Sequence, residues 1–146
     1  MLFDLPYQMV LSGHIAAMLA SILFVVVADI LGFLWWLGQI PKLSYKIMNS
    51  LHWLVTAGLA FSILTGTLMA STAWSYLLTQ PAFVIKLVLV LTLSVNAVVI
   101  HHHLKLATEV EYCFLDKRQK NIIIISGLVS TFAWISVLIT SQLYAL

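Results

Sequence analysis

The sequence predicts an all-α, polytopic membrane protein, a bundle of four transmembrane helices with both termini on the periplasmic side. Three observations carry that prediction. Of the 146 residues, 62% are AVILMFWYC and only 8% are Asp, Glu, Lys or Arg, against roughly a quarter charged in a soluble domain. A small soluble domain leaves much of its surface in water, and seven basic with five acidic residues cannot cover it. Next, four long charge-poor runs follow one another. Finally, the basic residues gather in the loops of one side.

The spans are expected at about 9–37, 47–71, 81–103 and 122–144, each long enough to cross ~30 Å of hydrocarbon at ~1.5 Å per residue. In lipid the backbone must pair within its own segment, so each run is a helix. The first begins after MLFDLPYQ, which has an acid where a cleaved signal would carry basic residues, and its apolar stretch is too long for a signal core; it is expected to be retained. A loop with Lys42 and Lys46 leads to the second span. The next loop, Thr72 to Gln80, is uncharged, and the third carries Lys105, Lys117, Arg118 and Lys120. Six of the seven basic residues thus mark the cytoplasmic side, and Asp4 lies with the N-terminus outside. Trp35, Trp36, Trp74, Tyr76 and Tyr144 fall near span ends, where an interfacial aromatic belt is expected. The stretch from Lys105 to Asn121 reads as an extension of the third helix plus a turn, with a solvated face. All 146 residues form one domain.

The same counts exclude whole classes of function. A net charge of +2 without a basic stripe excludes a nucleic-acid binder. A single cysteine, Cys113, excludes an internal disulfide and any multi-cysteine metal or iron–sulfur site.

Function is then sought among the few polar groups inside the spans, because an ionisable group at depth costs ~2.5–3.5 kcal/mol on insertion scales. These are His14 and Asp29 in the first span, His52 in the second, and Lys86, Asn96 and His101-His102-His103 in the third. They divide into two layers. His14 and Lys86 lie near the outer side. Asp29, 15 residues or ~22 Å further along the first helix, lies at the depth of His52 and the histidine run. His14 and His101 therefore cannot ligate one metal. At ~100° per residue, His14, Met18, Ser21, Val25, Asp29 and Gly32 share a stripe, as do Asn49, His52 and Thr56, and Thr92, Asn96 and His103. Three consecutive histidines point in three directions, so at most two face the bundle.

A b-type haem is the most economical use of such histidines, since a four-helix bundle can hold one through axial imidazoles alone. His52 paired with a residue of the triplet, foremost His101 or His103, would make an inner bis-His site. His14 would serve a second haem, with Lys86 near a propionate. Asp29 and Asn96 join this set as polar neighbours of the cofactor. Structural or headgroup-level histidines, and a proton or metal path, are the competing readings. Gly58, Ala60, Gly66, Ser126, Gly127 and Ser130 permit close helix contacts under any of them.

The segments GHIAAMLA, PAFVIKLVLVLTLSVNAVVIHHHL and FAWISVLIT, with Asp29 at its spacing from His14, resemble a group of small bacterial four-helix membrane proteins without an assigned activity. The resemblance implies that His14, Asp29, Lys86, Asn96, His101 and Trp134 belong to a shared framework, which His52 does not join. More distantly, the layout is similar to HemJ-type protoporphyrinogen oxidases and CopD-type membrane domains. The HemJ likeness implies a haem-associated His14 and a functional Lys86. The chain departs from that pattern in lacking Asn-Glu-x-Pro before the fourth span and an Arg in its first loop.

The expectation is an inner-membrane haem b protein of electron transfer, in contact with lipid and with a redox partner, a larger membrane complex or a second copy of itself. A haem-free accessory or assembly subunit and a HemJ-like oxidase are its alternatives, and catalysis by this chain alone is left open.

Overall fold

The computed structural model describes residues 7–142, so the expectations for Asp4 and Tyr144 lie outside the described residues. Its helices are α1 (Tyr7–Trp36), α2 (Tyr45–Ala70), a single turn α3 (Trp74–Leu77), α4 (Pro81–Glu109) and α5 (Lys117–Gln142), with a 3₁₀ turn at Tyr112–Phe114. Four of them are long and apolar enough to cross a membrane.

The helix ends have local causes. At the end of α1, Gly38 adopts φ 72°. Its N–H bonds the Trp35 carbonyl at 3.0 Å, and Gln39 N–H bonds Leu34 O at 3.0 Å. This is a Schellman motif, in which the positive φ favours glycine, and Pro41 prevents continuation. Pro81 opens α4, where its missing N–H costs nothing.

One boundary differs from expectation. α5 begins at Lys117 rather than near 122, because Asp116 and Gln119 form a reciprocal capping box. Gln119 N–H donates to Asp116 Oδ1 at 2.7 Å, and Asp116 N–H to Gln119 Oε1 at 3.0 Å. The uncharged second loop contains α3, whose Trp74 ring meets Phe83 edge-on at 5.8 Å.

Neighbours in sequence are neighbours in space: α1 packs on α2, α2 on α4 and α4 on α5, with a thinner seam between α1 and α5 closing the bundle. A mid-bundle core joins Met18, Val25, Leu59, Leu93, Trp134 and Val137. The outer surface is apolar too. Phe132 is 72% exposed while Trp134, two residues on, is 3% exposed, a surface consistent with contact to hydrocarbon.

A second cluster, Trp35, Leu43, Ala107 and Leu115, ties the first and third loops together at one end, hereafter the basic end. The opposite, neutral end carries α3. Trp35 is therefore not an interfacial anchor. It is 2% exposed and packs edge-on against Tyr112 at 5.2 Å. Trp36, Trp74 and Tyr76 are exposed near helix ends, as a belt requires.

Candidate functional site

The expected stripe on α1 is present: Met18, Ser21 and Val25 are buried, with His14 and Asp29 half-buried above and below them. On α4 the stripe breaks down. Asn96 is buried, but Thr92 is exposed and returns its hydroxyl to Val88 O at 2.9 Å. His103, a candidate ligand by sequence, hydrogen-bonds the Val99 carbonyl of its own helix at 2.9 Å and meets no other helix through that nitrogen.

At the neutral end, His14 Nδ1 lies 2.8 Å from Thr65 Oγ1 on α2. The Thr65 hydroxyl donates its one proton to the Phe61 carbonyl at 2.8 Å, so it accepts from His14 Nδ1–H. That leaves a lone pair on Nε2. The ring lies against Gly66, where an added Cβ would stand 3.4 Å from His14 Cε1. Lys86 is half-buried near the start of α4, at the same end of the bundle. The sequence thus paired His14 and Lys86 by depth, while Thr65, an unremarked hydroxyl in an apolar helix, fixes the ring.

Toward the basic end the polar groups meet across three pairs of helices. Between α1 and α5, Thr131 Oγ1–H donates to Asp29 Oδ2 at 2.5 Å, with the Gly127 carbonyl at 3.1 Å from the same hydroxyl. Between α4 and α5, Asn96 Nδ2–H donates to the Ser126 carbonyl at 2.8 Å. Asp29 shares the depth of the inner histidines, but its partner is α5. By sequence Ser126 and Ser130 read only as small residues and Thr131 goes unremarked, yet their i, i+4, i+5 spacing in a strongly apolar run traces the face where Thr131 receives Asp29 and the Ser126 carbonyl receives Asn96.

Between α2 and α4, the rings of His52 and His101 stand 5.4 Å apart, inclined by 31°. Trp53 flanks both, at 6.1 Å from His52 and 6.2 Å from His101. These rings sit on a groove of ≈ 320 Å³. The small side chains of Ala60, Ser94 and Ala97 keep its bed low, and Leu59, Ile63 and Val98 make it apolar. His101 and His102 are both exposed, their rings 6.4 Å apart.

A bare metal ion asks the protein for three or more donors, and no three His, Cys, Asp or Glu gather among the described residues. A haem brings four nitrogens of its own and asks only for axial ligands. Two imidazoles from facing helices at the edge of an apolar groove fit that request. Two metal–imidazole bonds of ~2 Å, with ~1.1 Å from each nitrogen to its ring centre, set the centroids about 6.3 Å apart, so the rings at 5.4 Å would part by nearly 1 Å to admit the iron.

No protein-family model, curated protein or solved structure matches the chain.

Proposed function

We propose that the chain is a multi-pass protein of the bacterial inner membrane that binds b-type haem in the α2–α4 groove, with His52 and His101 as axial ligands, and transfers electrons. One observation carries the reading: these are histidines of two different helices brought ring to ring, at the edge of an apolar groove. The groove's volume lies at the low end of the range for ligand pockets. When bound, the haem supplies a one-electron couple, which axial ligation and burial tune. The chain's own part is to bind and orient. Trp53 braces the two rings, and Leu59, Ile63 and Val98 exclude water from the bound face. The clustering of Lys42, Lys46 and the third-loop basic residues at one end supports a cytoplasmic basic end and periplasmic termini.

The test is optical. Protein purified in detergent after haem-replete expression should show a Soret band and a reduced α-band. Both are expected to vanish in His52→Ala and in His101→Ala, and to persist in His14→Ala. Absence of any band from the wild type sinks this reading and favours a haem-free accessory subunit of a larger membrane complex. Loss in His14→Ala alone moves the site to the neutral end, where a half-buried Lys86 on α4 at the level of His14 favours the HemJ-like oxidase. Conversion of protoporphyrinogen by such a preparation would then be the assay.

A further inference from the structure

His52 faces two spaces. One is the groove; the other is a smaller cavity of ≈ 30 Å³ among α2, α4 and α5, lined by His52, Thr56, Asn96, Ser130 and Trp134 together with apolar side chains, which shares Thr56, Leu59 and Ala97 with the groove. A water needs roughly 10–15 Å³ of such space and two to four polar partners. The cavity has both.

Hydrogen-bond accounting points the same way. Most span hydroxyls return to the carbonyl four residues earlier, as Ser94 does to Val90 and Thr56 to His52. Ser130 would return to Ser126, but Asn96 already occupies that carbonyl at 2.8 Å. Among the described residues, the enclosed side-chain polar atoms without a partner are Trp35 Nε1 and Ser62 Oγ; the Ser130 hydroxyl, the Trp134 indole N–H and the side-chain oxygen of Asn96 are not among them, and their residues line the cavity. All three residues are buried, at 7%, 3% and 8% exposure. They supply donors and acceptors in the proportion one water requires: it can accept from Trp134 N–H and Ser130 O–H, and donate to Asn96 Oδ1 and an unprotonated His52 nitrogen.

We propose that this cavity is a water-binding site that hydrogen-bonds His52 from the bundle interior, which makes Asn96, Ser130 and Trp134 positioning residues for the ring that borders the groove. The site stands on the cavity and its polar lining, and does not depend on what occupies the groove. If a metal is bound through His52, the water is the outer-sphere partner that holds the ring in one tautomer.

The experiment uses the full chain, labelled with ¹⁵N-histidine in lipid nanodiscs, and reads the magnetisation transfer from water to the His52 imidazole, assigned by its loss in His52→Gln. The wild type should show the cross-peak. Ser130→Ala leaves the space and three partners and should keep it, whereas Ser130→Val fills the space and should abolish it. Absence of the wild-type cross-peak, or an undiminished one in Ser130→Val, overturns the proposal. Should Ser130→Val not assemble, Trp134→Phe removes the indole donor at nearly constant shape. Displaced His52 ¹⁵N resonances and a weakened cross-peak are then expected, and unchanged resonances would overturn it.

Discussion

The two histidine layers of this bundle are built in opposite ways. At the neutral end, His14 is fixed: one nitrogen is bonded to Thr65, and the ring lies against Gly66. Toward the basic end, His52 borders two spaces and its nearest aromatic neighbour across the helix boundary is another histidine. Both layers place imidazole at depth, where polarity is costly. The first offsets that cost with a direct hydrogen bond. The second leaves the ring available for something else, and this availability, rather than the presence of histidine, marks a binding site.

The sharpest break of this comparison comes from adding volume to each layer. Gly66→Leu drives carbon into the His14 ring and should destabilise the fold by about 3 kcal/mol, the upper part of the usual overpacking range. Ala60→Leu, on the exposed bed of the groove, should alter stability by less than about 0.5 kcal/mol. It should nevertheless abolish the haem bands by occupying the groove. Unfolding of each variant in mixed detergent micelles, alongside its visible spectrum, separates the two responses. Equal destabilisation by both substitutions would mean that the groove is as closely packed as the neutral end.

How much of this could be read from sequence follows from the range of the interactions involved. The four helices and the two depth layers were legible because apolar run length, axial rise and charge placement act locally. The Asp116–Gln119 box was legible too, being a local motif, but the following isoleucine run drew the boundary past it. What depth could not supply was azimuth. Asp29 and His52 share a level, yet Asp29 turns to Thr131 on α5 while His52 turns to His101 on α4. Helical rotation about each axis is set by side-chain packing from all neighbours at once. For the same reason Thr65 and Ser130 carried no signal alone. A hydroxyl in an apolar helix matters only through the side chain that a second helix brings to it.

A smaller effect sharpens the contrast through matched hydroxyl deletions on α2. Thr65→Val removes the side-chain acceptor of the half-buried His14 Nδ1–H, which should cost ~1 kcal/mol, and Thr65→Ser should recover most of the loss. Thr56→Val removes a hydroxyl that only returns to the His52 carbonyl at 2.8 Å, a group the helix ladder already satisfies. Its cost should be below ~0.5 kcal/mol. If Thr56→Val proves as harmful as Thr65→Val, then Thr56 is more than a lining residue of the cavity beside His52.

An effect no larger extends the comparison from side chains to helix seams. Gly58 lies where α2 meets α1, and a Cβ there would overlap Ser21 Oγ and stand 3.4 Å from the Ala17 carbonyl. Ser21 is 1% exposed and its hydroxyl is held by Ala17 O at 2.8 Å, so relief requires breaking that bond or parting the helices. Gly32, further along α1 toward the basic end, has nothing within 4 Å of the equivalent position. Gly58→Ala should therefore destabilise by ~1 kcal/mol. Gly32→Ala should be neutral or stabilising by up to ~1 kcal/mol, because only the conformational freedom of glycine is removed. Unfolding midpoints in mixed micelles read both. The two substitutions add the same methyl group, so any difference between them measures how closely their surroundings approach. A similar loss at Gly32 would mean that α1 is closely covered there as well, and that the bundle is not looser toward its basic end.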